Sequence, residues 1–151
     1  MDTRNRFHTD QTFWWVRLEH VAVIAVAVAL LAQHAGEVRW GRFAVAFALI
    51  DVIGYVPGAI AWRRAGGGCI DPRYHHLYNL THSYLVTGLS VGAWAAFAGG
   101  LEWAMLAVPI HLAGDRGLFG NTFKPASLPF EPAADPEPSR PLGAGGGGPS
   151  R

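Results

Sequence analysis

The run Pro109-Ile-His111-Leu-Ala-Gly-Asp115-Arg116 sets an imidazole and a carboxylate four residues apart inside an apolar stretch. Residues at i and i+4 share a helix face, so the two groups point the same way. Three other apolar stretches carry similar intruders: Glu19 with His20, Asp51 with Tyr55, and Asn79 with His82. Asp51 and Tyr55 are again i, i+4, and Asn79 and His82 are i, i+3, so each stretch can turn one polar stripe inward. Imidazole nitrogens and carboxylate oxygens from several helices of a bundle form a ligand set suited to a divalent metal ion, with zinc, manganese and iron as the candidates. In such a site Glu19 or Asp51 would act as general base, and Asn79 and Tyr55 would orient substrate or ligands.

The elements that must position these groups are apolar. Half of the 151 residues are hydrophobic and only 15% are charged, against about a quarter charged in a typical soluble domain. Four stretches have the ~20 residues that span a bilayer's hydrocarbon: Trp15 to Ala35, Phe43 to Trp62, Leu77 to Ala98, and Leu101 to Phe119. Pro57-Gly58 is expected to kink or unwind the last turn of the second. Trp14, Trp15, Trp40, Trp62 and Trp103 fall near span ends, as in an aromatic belt. The fold class expected is all-α, a polytopic four-helix transmembrane bundle over residues 15–124. Residues 1–14 form an N-terminal segment, and the Pro- and Gly-rich stretch from Pro125 to Arg151 is expected to be a disordered tail.

Arginine and lysine set the orientation. Arg4, Arg6 and Arg17 precede or open the first span, Arg63, Arg64 and Arg73 lie between the second and third, and Arg116, Lys124 and Arg140 end or follow the fourth. Only Arg39 and Arg42 fall on the other side. Both termini are therefore expected in the cytoplasm of a cell whose inner (plasma) membrane holds the chain. At a rise of 1.5 Å per residue, Glu19, Asp51, His82, His111 and Asp115 lie ~6 to ~16 Å in from the cytoplasmic ends of their spans. All four helices would thus deliver polar groups to one half of the bundle.

Each intruder also has an ordinary use. His20 and His34 suit the headgroup layer, Tyr74, Tyr78 and Tyr84 suit packing, and His75 and His76 suit solvent beside the loop. Asn79 can be interhelical glue, and Arg116 can neutralise Asp115 as an ion pair. An unpaired carboxylate at the depth of Asp51 costs at least ~2.5 kcal/mol, which leaves it the weakest ordinary explanation. The formal net charge of +1 gives no reason to expect nucleic acid as a partner. The single cysteine, Cys69, excludes an internal disulfide and a Cys-based zinc site. Gly88 and Gly92 would let a second helix approach closely, which keeps a homo-oligomer open.

The run Asn79-Leu-Thr81-His82-Ser83, followed downstream by His111-x3-Asp115-x4-Gly120, resembles the Thr-His-Ser and His-x3-Asp signatures of bacterial inner-membrane proteins classed as metal-dependent hydrolases. A wider pattern resembles a family of small four-helix bacterial integral membrane proteins of unknown function. It comprises Arg17-Leu18-Glu19, then Asp51 with Tyr55, then Tyr78-Asn79-x-x-His82, and last His111-x3-Asp115-Arg116 with Gly117 or Gly120 and Lys124. The likeness covers Trp15 to Lys124. The first resemblance implies a metal held by His82, His111 and Asp115, and hence hydrolysis of a lipid-like or other apolar substrate from the bilayer. Two alternatives remain: a metal-independent acid/base enzyme such as a cyclase or isomerase, and a membrane scaffold without catalysis.

Overall fold

The computed structural model describes residues 9–131, and the first and last arginines counted for orientation, Arg4, Arg6 and Arg140, lie outside them. The described chain is all-helical, with no strand among these residues. Helix α1 runs over Asp10–Gln33, so it takes in residues expected in the N-terminal segment. Thr9 and Thr12 cap its start reciprocally: Thr12 N donates to Thr9 Oγ1 at 3.2 Å and Thr9 N to Thr12 Oγ1 at 2.8 Å. Helices α2 (Trp40–Gly54) and α3 (Val56–Arg64) follow, interrupted only at Tyr55. The interruption falls two residues before Pro57, whose ring crowds the carbonyl four residues back and which has no N–H to give it. The expected kink is therefore earlier than the last turn, and the helix resumes to Arg64.

Two helical segments are long and apolar enough to cross a membrane, Gln11–Gln33 and Trp40–Arg64. The third and fourth expected spans are not single helices. The third begins early as α4 (Pro72–Thr81), N-capped by Asp71, breaks at His82 and Ser83, and continues as α5 (Tyr84–Ala98). The fourth is a 3-10 turn (Trp103–Leu106), the eight-residue α6 (Ala107–Gly114) and a π turn (Asp115–Phe119). Its apolar residues make the centre of the protein: Ala104, Ala107, Leu112 and Ala113 are all but sealed from the surface. A helix apolar all round is equally a lipid-facing span and a short buried core helix, and periodicity does not separate them.

Helix α6 packs against α1 and α2, and α2 against α4, while α5 packs mainly against α4 and α6, with Tyr84 at its start stacked on His20 of α1. The α2–α4 contact is close because Gly54 lacks a side chain; a Cβ there would lie on Thr81 Oγ1. The π turn rests on α1, where Gly117 backs onto His20 and Val21. Arg17 donates to the carbonyls of Gly117 and Leu118 at 2.9 and 2.8 Å. At the opposite end Glu102 pairs with both Arg39 and Arg42, the two arginines that the charge count left on the minority side.

Gly120, at φ +74°, reverses the chain after the π turn. Residues 121–131 then run back along α4 as a strap. The part of the expected disordered tail within it is packed: Phe130 is 0% exposed, seated where Gly58 leaves room for its ring. Residues 132–151, the rest of that tail, lie outside the described residues.

Candidate metal centre

Asp51 on α2, His82 at the end of α4, and His111 and Asp115 on α6 and its π turn converge on one point. His82 Nε2 lies 3.4 Å from Asp51 Oδ1 and 3.3 Å from Asp115 Oδ2. His111 Nε2 lies 3.6 Å from each of the same two oxygens. The two Nε2 atoms and Asp115 Oδ2 are buried and form no hydrogen bond. Asp51, His82 and His111 offer ligand atoms within 4.8 Å of one another. Four of the residues singled out from sequence therefore meet.

Local structure sets each of them. The Nδ1 of His82 lies 2.9 Å from the Tyr78 carbonyl and 3.0 Å from Thr81 Oγ1, and Thr81 in turn donates to the same carbonyl. Two acceptors at Nδ1 take the N–H there and turn Nε2 towards the carboxylates. The Tyr78 ring stacks on the His82 ring at 3.9 Å, and Phe47 meets the His111 ring edge-on at 4.7 Å. The π turn begins at Asp115, a distortion that recurs at functional sites in helices. The side chain of Asp51 is 47% exposed and that of Asp115 18%, so the site opens past Asp51.

Five expectations change. Glu19 is exposed and bonds to nothing among the described residues, because α1 packs by the face that carries Phe13, Arg17 and His20. Asn79 does not reach the cluster; its side chain clamps Lys124, donating to the carbonyl at 3.0 Å and accepting from N at 2.7 Å. Tyr55 faces the strap, 5.9 Å from the Phe130 ring and 5.7 Å from Lys124 Nζ. Arg116 does not pair with Asp115: it donates to the His82 carbonyl at 3.0 Å and lies over the Tyr84 ring at 4.3 Å. His75, expected in solvent, is buried against Phe130 and 3.1 Å from the Leu128 carbonyl. The i, i+4 spacing of Tyr78 and His82 would have pointed to Tyr78 as a support, whereas nothing in the sequence marked Phe130.

Tetrahedral ligands about 2.0–2.1 Å from an ion stand about 3.3–3.4 Å apart; the four imidazole–carboxylate separations run from 3.3 to 3.6 Å, and Asp51, His82 and His111 form a group that could hold a metal ion. Fold and site together define a small helical protein with two membrane-length helices and a buried His/Asp cluster that could bind a metal. No protein-family model, curated protein or solved structure matches the chain.

Proposed function

We propose that this chain is a membrane-embedded metalloprotein, and that its metal centre hydrolyses a lipid-like or otherwise apolar substrate. The observation that carries the reading is the convergence of two Nε2 atoms and two carboxylate oxygens, each nitrogen 3.3–3.6 Å from each oxygen and three of the four atoms buried without a hydrogen bond. Imidazole nitrogens and carboxylates that meet at 3.3–3.6 Å call for a positive charge between them, and in this reading a bound metal cation supplies it to all four groups at once. His82, His111 and Asp115, the more buried of the four, would hold the ion, with zinc, manganese and iron as the candidates. Such an ion supplies Lewis-acid polarisation and makes water a better nucleophile at neutral pH. Asp51, on the open side, would serve as the general base.

The bilayer reading rests on the two long helices and their exposed apolar surface, Val26, Val28, Val45, Leu49 and Val52 among it. In this reading the shorter segments complete a bundle in the inner (plasma) membrane, with Arg17, Arg116 and Lys124 on the cytoplasmic side. Elemental analysis of protein purified in detergent tests the centre. Wild type should carry about one equivalent of metal, His111→Ala and Asp115→Asn should lose it, and Glu19→Gln should keep it. Metal retained in both ligand variants, or found in none of the proteins, overturns the metal centre. Hydrolytic activity that survives complete chelation would assign the cluster to metal-independent acid/base chemistry instead.

A further inference from the structure

Between α5 and the segment leading into α6 lies a cavity of about 440 Å3, lined by Tyr84, Thr87, Gly88, Val91 and, across from them, Met105, Leu106 and Pro109. Its size is that of a small-molecule site, and its lining is almost wholly apolar. It is also elongated: Tyr84 to Val91 alone covers about 10 Å along α5. Helix α5 packs mainly on α4 and α6, with Tyr84 at its start stacked on His20 of α1, and the space beneath its middle is left open.

The two ends of the cavity differ. Leu101, Glu102 and Trp103 line the end far from the metal centre, and Glu102 is occupied there by Arg39 and Arg42. At the near end the Tyr84 ring lies under the Arg116 guanidinium at 4.3 Å. Arg116 spends one donor on the His82 carbonyl and pairs with no carboxylate among the described residues. A guanidinium has five N–H donors in a fork that matches carboxylate and phosphate. One residue thus touches both the metal-ligand segment and the cavity mouth.

We propose that the cavity is the chain-binding half of the substrate site, and that the substrate is a single-chain amphiphile with an anionic head. The chain lies along α5 under Gly88, and a phosphate or carboxylate head sits on Arg116 beside the metal centre. The charge of Arg116 at one end of an apolar slot selects this occupant over an uncharged hydrocarbon or a second protein helix. The assignment rests on the membrane and lipid-substrate reading above and names the substrate class of that same site.

Binding of hexadecyl phosphate and of hexadecanol to the full-length protein in detergent tests it, with metal content measured on every sample. Gly88→Phe fills the slot from a position where an added Cβ meets nothing within 4 Å, and Val91→Trp fills it from the next turn. Both variants should weaken hexadecyl phosphate roughly tenfold or more while keeping their metal. Arg116→Gln should weaken hexadecyl phosphate roughly tenfold and leave hexadecanol unchanged, and Arg116→Lys should restore part of the loss. Unchanged binding of hexadecyl phosphate to both filled variants overturns the chain site. An equal loss of the two probes in Arg116→Gln overturns the head site. Protein that lacks metal but shows the expected binding pattern sinks the hydrolase reading alone.

Discussion

The imidazole of His82 is held on both sides before any ligand arrives. Its Nδ1 is shared by the Tyr78 carbonyl and Thr81 Oγ1, and the Tyr78 ring lies flat against it. Supports of this kind tune metal affinity by about 10- to 100-fold. Thr81→Val keeps the shape but removes one acceptor, so it should weaken metal about tenfold in competition with a chromophoric chelator. Thr81→Ser should bind as wild type, and equal affinity in all three proteins would count against the role of this hydroxyl. The cluster residues were legible because ionisable groups in apolar surroundings are costly and need a common solution. Glu19, Tyr55 and Asn79 gave the same signal and found other solutions: an outward face, the strap, and the backbone of Lys124. Composition and spacing report that a polar group needs a partner, and only the packing angle of each helix says which partner it meets.

Helix breaks matter more here than helix lengths. The chain turns extended at Ser83, ψ 125°, one residue after His82, and the π turn starts at Asp115. Both distortions fall at residues of the His/Asp cluster, where a straight helix would space the side chains differently. Four apolar stretches were readable in the sequence, but three of them proved to be interrupted elements, the second only at Tyr55. Apolar run length reports burial and not the medium that does the burying. The α2–α4 contact, which brings Asp51 to His82, depends on Gly54 and its approach to Thr81. Gly54→Ala forces the helices apart, with an expected loss of about 1–3 kcal/mol in thermal melts and weaker metal retention. A variant as stable and as well loaded as wild type would show that the contact yields freely. Asp71 caps α4 through Arg73 N at 2.9 Å, and the Arg73 guanidinium beside it holds its pKa down to about 2 from 3.8. A depressed carboxylate stabilises the fold above its unfolded pKa, so this contribution is whole above pH 3.8 and fades as pH falls through about 2. Hydrogen exchange at Tyr74 and His75 should therefore quicken in Asp71→Ala at neutral pH, and acid should narrow the difference.

At the scale of the molecule, the apolar faces of α1 and α2 point outward and the polar cluster points inward, the reverse of a water-soluble bundle. That arrangement predicts that the full-length chain stays in the membrane pellet through alkaline carbonate; release to the supernatant would remove the bilayer from the account. The strap then closes the end of the bundle beneath the metal centre. Lys124 is clamped by Asn79, and its Nζ reaches the Phe130 carbonyl and Glu131 at 2.7 Å. The Phe130 ring fills the space between Gly58, His75 and Tyr78. Tyr78 is the residue that positions His82 from behind, so Phe130 touches no ligand yet supports one. Phe130→Ala should cost about 3–5 kcal/mol, the usual loss for a buried phenylalanine, and Phe130→Leu less. If the strap acts only through global stability, metal affinity below the melting temperature should be unchanged in Phe130→Leu. If it holds Tyr78 against His82, that variant should still fold but release metal faster to a chelator. The second outcome is expected, because the ring lies edge-on to Tyr78 with centroids 6.0 Å apart and a leucine cannot fill the same flat slot.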